Sequence, residues 1–112
     1  MRSITELAWA AGFFDGEGCT LCRKPKTGYR QLSFEVAQNE ISTLRRFESA
    51  LGFGSISGPY RGSEYQYRAC SFEKAQAAIA LLWRFLSDPK KIQAKTALIE
   101  YLNHINPGKV PA

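Results

Sequence analysis

The sequence predicts an α+β domain in the order αββαββαα, with a four-stranded antiparallel sheet carrying its helices on one face. Three observations lead there. Apolar residues recur at three-to-four spacing in four separate stretches. Strand-forming segments fall in two pairs, each pair split by a turn containing glycine. No linker, repeat or low-complexity stretch interrupts the 112 residues, a length that suits one domain.

Each element follows from its residues. Ile4, Leu7, Ala8, Ala11 and Phe14 keep helical spacing until Gly16 and Gly18 stop it. Cys19 to Lys24 suits a strand, and Pro25-Lys26-Thr27-Gly28 supplies a turn. Tyr29 to Gln38 alternates, which predicts Leu32, Phe34 and Val36 inward and Gln31, Ser33 and Glu35 outward. Ile41, Leu44, Phe47 and Leu51 mark a second helix ended by Gly52. Phe53 to Tyr60 and Glu64 to Phe72 read as strands joined through Arg61-Gly62-Ser63. A third helix buries Ala75, Ala78, Ile79, Leu82 and Leu86. Ser87-Asp88-Pro89 caps a fourth, with Pro89 in its first turn and Ile92, Ile99 and Leu102 on the expected buried side. Residues 1–105 form the expected domain, and 106–112 an expected poorly ordered tail.

Composition bounds the function. With 45% hydrophobic and 22% charged residues the chain is neither disordered nor fibrous. It has no apolar run of membrane-span length and no secretory leader pattern, so an intracellular, non-secreted protein without a membrane partner is expected. Fifteen Lys plus Arg against ten Asp plus Glu leaves +5, which favours a polyanion. The excess is uneven. Residues 1–18 set Arg2 against Glu6, Asp15 and Glu17, while 19–35 set Arg23, Lys24, Lys26 and Arg30 against Glu35. An acidic helix end thus runs directly into a basic strand region.

That helix end is electrostatically unfavourable. The C-terminus of a helix already bears about half a negative charge, so Asp15 and Glu17 there cost roughly 0.3–1 kcal/mol each. Carboxylates beside free carbonyls form an oxygen-rich place suited to a hard divalent cation. Read alone, the same residues also fit a local cap at Asp15 and a solvated Glu17. Ala8, Gly12 and Gly16 form a second oddity, a strip almost without side chains. Glycine inside a helix costs about 1 kcal/mol relative to alanine, and close approach of another helix explains it. If that helix belongs to a second copy, a two-fold axis runs along the strip and two Glu17 carboxylates meet at its end.

Leu7 to Gly18, LAWAAGFFDGEG, resembles the signature of the LAGLIDADG homing endonucleases, the nine-letter motif falling on Ala10 to Gly18. LSFEVAQ, KKIQAK and the element order fit as well, so the resemblance covers nearly the whole chain. It implies the homing-endonuclease fold αββαββα(α), with a saddle-shaped sheet laid along DNA. A chain with a single motif implies a homodimer with Ala8, Gly12 and Gly16 at its interface. Glu17 matches the metal-binding acid, the Gly16 carbonyl a further ligand, and Asp15 a structural position. Gln38 resembles a residue that positions water, and Lys90, or its neighbour Lys91, a basic residue near the reacting phosphate. The sequence departs from the motif letters with Glu at position 17 and Ala at position 10.

What the resemblance implies is Mg²⁺-dependent double-strand cleavage of a palindromic or near-palindromic DNA target, with no small-molecule substrate. The outward sheet set is then Tyr29, Gln31, Ser33 and Glu35, with Leu21, Arg23, Ser55, Ser57, Gln66 and Arg68. Arginine suits guanine, glutamine suits adenine, and Glu35 suits the cytosine amine. Lys24, Lys26, Arg30 and the turn residue Arg61 suit phosphates, which set affinity rather than sequence preference. A non-cleaving nucleic-acid binder of the same fold, such as an intron maturase or a regulator, is the alternative, and a protein-interaction module the third reading. Cys19 and Cys22 make a CxxC, but residues three apart on a strand face opposite sides and do not chelate together. Free packing thiols are expected at Cys19, Cys22 and Cys70.

Overall fold

The computed structural model describes residues 2–24, 26 and 28–105. The expected tail at 106–112 lies outside them. The observed elements are α1 (Ile4–Glu17), β1 (Gly18–Arg23), β2 (Gln31–Gln38), α2 (Ile41–Leu51), β3 (Ser55–Tyr60), β4 (Glu64–Ala69), α3 (Phe72–Leu82) and α4 (Asp88–Ile105). They form the predicted α+β arrangement, with an antiparallel sheet in the order β1-β2-β4-β3.

Alternation separates the two faces of the sheet. Leu32, Phe34, Val36, Tyr67 and Ala69 are buried against the helices. Phe14 of α1 stacks on Phe34 with ring centroids 4.1 Å apart, and Phe47 of α2 meets Tyr67 edge-on at 4.9 Å. The Tyr67 hydroxyl donates to the Phe53 carbonyl at 2.7 Å, so the largest buried side chain leaves no unpaired oxygen.

Helix ends follow the expected chemistry. Ser3 caps α1 by accepting from the Glu6 amide, and Ser71 caps α3 by accepting from the Lys74 amide. Gly52 closes α2 in the left-handed region, at φ 88°. At the β3–β4 turn the Ser63 amide donates to the Tyr60 carbonyl, with Arg61 at φ 52° and Gly62 at φ 84°. Positive φ at both residues reverses the chain within a three-residue loop, 61–63, between the paired Tyr60 and Glu64.

Three expectations are corrected. The third helix does not run to Leu86. It ends at Leu82, a 3₁₀ turn takes Trp83–Phe85, and Leu86 is buried from the connector instead. The fourth strand stops at Ala69 rather than Phe72, because Ser71 starts a helix and Phe72 stacks on Tyr101 of α4. On α4 the buried positions are Ala94 and Ala97, whereas Ile92 is 64% exposed. Small residues let α4 lie close along β1, and larger ones at those positions would hold it off.

That close approach also serves the sheet edge. The side-chain amide oxygen of Gln93 accepts the Thr20 amide of β1 at 3.0 Å. An edge-strand donor is thereby satisfied from a helix.

Gly18 owes its identity to space rather than to conformation. Its φ is −102°, ordinary for any residue, yet a Cβ there would overlap the Phe14 ring. Gly18→Ala is expected to lower stability by about 1–3 kcal/mol through displaced aromatic stacking. Denaturant unfolding checks this, with an unchanged midpoint as the contrary result.

Candidate functional site: the motif helix end and the polar sheet face

The end of α1 is built to expose one acid and bury the role of the other. Asp15 accepts from the Ser87 amide at 3.1 Å and from the Ser87 hydroxyl at 3.0 Å. Ser87 also accepts the Lys91 amide, so Asp15 fixes the start of α4 from 72 residues away. Glu17 is exposed and makes no hydrogen bond or ion pair among the described residues. The Gly18 amide closes on the Phe14 carbonyl, which leaves the Gly16 and Glu17 carbonyls beyond the last intrahelical bond.

Glu17 opens onto the sheet face turned away from the helices. A pocket of about 110 Å³ there is lined by Glu17, Cys19, Glu35, Val36, Ala37 and Gln66. The strand register explains the grouping: Cys19 pairs with Glu35, Glu35 with Arg68, and Arg68 with Ser55. The neighbouring row pairs Ala37 with Gln66 and Gln66 with Ser57. Leu21 opposite Ser33 and Arg23 opposite Gln31 complete the face. Leu21, Arg23, Gln31, Ser33, Glu35, Ser55, Ser57, Gln66 and Arg68 therefore share one side of the sheet.

Glu35 is the centre of that face. Its carboxylate accepts from Arg23 Nε at 2.6 Å and Arg23 Nη2 at 2.7 Å, and from the Ser33 hydroxyl at 2.6 Å. Arg68 Nε lies 3.6 Å from the same carboxylate. Burial opposes the charge on Glu35, but the hydrogen bonds from Arg23 and Ser33 and the two nearby guanidinium charges together hold its carboxyl below the ordinary value. Cys19 is pushed the other way by burial and then by Glu35, which keeps it a thiol.

The remaining predicted residues divide by position. Lys90 donates its ammonium to the Gly18 carbonyl and lies over the Phe14 ring, at the junction of motif helix and first strand. Lys91 lies over Trp83 instead, so Lys90 is the one directed at the motif. Gln38 ends β2 two residues beyond Val36, the partner of Gly18, and its side-chain oxygen accepts the Asn39 amide at 2.9 Å. Alternation puts it on the side of Val36 rather than of Glu35. Arg30 donates to Glu100 of α4 at 2.8 Å, and Lys24 lies 3.9 Å from that carboxylate. Tyr29 meets His104 edge-on and is 83% exposed. Lys26 and Arg61 are exposed on the two turns.

Sequence reasoning left out two members of the outer face, Cys19 and Cys70; Cys70 Sγ lies 3.6 Å from the Ser33 hydroxyl. Period-two counting from Leu21 marks Cys19, whereas Cys70 lies past the end of β4 and only the fold reveals it. Cys19, Cys22 and Cys70 are all free thiols.

Ala8, Gly12 and Gly16 are exposed along α1, and a Cβ at Gly12 or Gly16 would meet nothing within 4 Å. From Leu7 to Phe14 the helix is apolar on every face although only Leu7, Ala10, Ala11 and Phe14 are buried. No three His, Cys, Asp or Glu side chains converge as a metal site among the described residues. One chain contributes a free carboxylate and helix-end carbonyls. Such hard oxygen donors suit Mg²⁺, which needs only one or two carboxylates beside water and phosphate.

The family model for LAGLIDADG endonucleases matches residues 10–96. None of the curated proteins compared matches the sequence. Among solved structures, I-CvuI in complex with the I-CreI target superposes at TM-score 0.79 with 22% identity, over 91% of this chain and 69% of that one. I-AabMI bound to uncleaved DNA gives TM-score 0.73 and 25% identity, over 92% of this chain and 39% of the other. I-SmaMI bound to cleaved DNA gives 0.69 and 25%, over 90% and 39%. No helix among the described residues is long and apolar enough to cross a membrane. A match that takes in the nine-letter motif, all four strands and the start of α4 settles the assignment: the chain belongs to the LAGLIDADG family of DNA endonucleases.

Proposed function

We propose that the chain is a homodimeric, divalent-metal-dependent endonuclease that cuts double-stranded DNA at a palindromic or near-palindromic site. The observation that carries this reading is Glu17, exposed and without a partner among the described residues, between a bare apolar helix strip and the polar sheet face. Two strips packed together would bury apolar surface that one chain leaves in water, and would bring two Glu17 carboxylates to one place.

Glu17 and the Gly16 carbonyl would hold Mg²⁺. When bound, the cation lowers the pKa of water and neutralises charge on the departing 3′ oxygen. Lys90 adds positive charge beside the motif, and Gln38 adds an amide at the strand end for ordering solvent. The outer sheet face would lie in the major groove, whose base edges a two-stranded ribbon can read. Arg23, Gln31, Gln66 and Arg68 supply the contacts with the most donors, and Leu21, Tyr29, Ser55 and Ser57 flank them. Lys26 and Arg61 stand on the turns at the ends of that face, where phosphates pass, and Lys24 and Arg30, held near Glu100 of α4, would reach phosphates from the sheet's helix side.

The test is recovery of bound and cut molecules from a randomised duplex pool. A two-fold symmetric site, linearised with Mg²⁺ and intact with EDTA, is expected. Selective binding without cutting under any divalent ion overturns the nuclease in favour of a non-cleaving binder. Absence of binding at about 50 mM salt removes the nucleic-acid reading altogether.

A further inference from the structure

We infer that Glu35 is a specificity-determining positioning residue: it presets the two arginines of the groove face, Arg23 and Arg68, rather than reading a base itself. This rests on the DNA-contacting role proposed for that face. Both oxygens of Glu35 are committed within the protein, one to Arg23 Nη2 and the other to Arg23 Nε and the Ser33 hydroxyl. Ser33 is fully buried, so it braces the carboxylate from below and presents nothing to a groove. On the far side, Arg68 Nε is a buried donor without a hydrogen bond among the described residues, and Glu35 Oε2 lies 3.6 Å from it.

The consequences come from the donor inventory of arginine. A guanidinium carries five N–H donors in a fixed fork. Arg23 spends two of them on Glu35 and keeps the others on a side chain that is 41% exposed. An arginine held at one end meets guanine O6 and N7 with little rotamer freedom left to lose, so the correct base is favoured more sharply than by a free side chain. The carboxylate also penalises a loose fit, since its negative charge repels phosphate and discourages attraction to any sequence alike. A metal role for Glu35 is disfavoured by the same geometry, because Arg23 and Ser33 already occupy both of its oxygens.

Glu35→Gln removes the charge and half of the acceptor capacity while keeping the shape. Wild type and variant are taken through the same randomised duplex pool, and specific and non-specific binding are measured at one salt concentration. The ratio of specific to non-specific affinity is expected to fall by roughly tenfold, the lower range of what a bidentate arginine–guanine pair supplies. The loss should sit at the base pairs that Arg23→Gln also relaxes, while non-specific affinity rises. A purely structural role would lower the melting temperature and weaken binding to all sequences equally, leaving that ratio unmoved. Ser33→Ala, which removes one brace and no charge, should give a smaller loss at the same base pairs. A folded Glu35→Gln or Ser33→Ala with the wild-type ratio overturns the inference. A wild type that selects no site at all overturns the DNA reading beneath it instead.

Discussion

Glu17→Gln is expected to reduce DNA cleavage by roughly three orders of magnitude or more while leaving binding at moderate salt nearly intact. A metal-bound oxygen donor is worth several kcal/mol in stabilising charge on a reacting phosphate, and each 1.36 kcal/mol is about tenfold in rate. Glutamine keeps the volume and loses the charge. Because Glu17 is exposed and makes no bond among the described residues, the fold has nothing to lose with it. Single-turnover cleavage and equilibrium binding on one selected duplex separate the two effects. A variant that cuts at the wild-type rate would remove Glu17 from the chemistry. Asp15→Asn makes the useful contrast, since Asp15 holds Ser87 and its loss should appear as reduced stability rather than as failed catalysis.

Gly12→Leu is expected to leave the subunit folded, to weaken dimerisation by at least about thirtyfold, and to abolish double-strand cutting with it. Within one chain a Cβ at Gly12 meets nothing within 4 Å, so the substitution is sterically free. It even replaces a residue of poor helix propensity with a good one, a gain of up to about 1 kcal/mol. In a helix pair packed along Ala8, Gly12 and Gly16, the same side chain would stand where the partner's backbone must come. Sedimentation equilibrium measures the association and thermal unfolding measures the fold. A variant that remains a dimer with full activity would place the interface elsewhere. The combination of unharmed stability and lost assembly is the informative outcome, because misfolding cannot produce it.

The fold was largely legible because its signals are local. Gly52 marks the end of α2 by its residue type, and alternation in Leu32, Phe34 and Val36 separates two faces without reference to other strands, whereas the caps at Ser3 and Ser71 emerge only from the structure. Strand order was not legible in that way, since period two tells which side a residue faces and not which strand lies beside it. Nor was the break after Leu82, where apolar spacing continues through Leu86 although the backbone tightens into a 3₁₀ turn. The buried side of α4 was misjudged for a related reason: size suggested Ile92, whereas closeness to β1 selected Ala94 and Ala97.

The site shows the same division. Glu17 and its motif are contiguous and could be read directly. Lys90 and Lys91 could be told apart only once Lys90 was seen to hold the Gly18 carbonyl and Lys91 to lie over Trp83. Glu35 has an outward parity that the sequence shows, but its partners Arg23 and Arg68 come from two other strands. A side chain's assignment to bracing or to contact is decided by neighbours distant along the chain.

The borders of the sheet carry a further consequence. At β1 the glutamine amide from α4 occupies a backbone donor that a foreign strand would need. At the opposite border, β3 contains Pro59 and loses regular register between Ser57 and Tyr60. Open strand margins recruit one another and drive chains into aggregates, and both devices are ways of closing them. If two copies pair through α1 as proposed, blunted strand margins would leave the smooth helix as the surface on which they meet, and would disfavour competing edge-to-edge association.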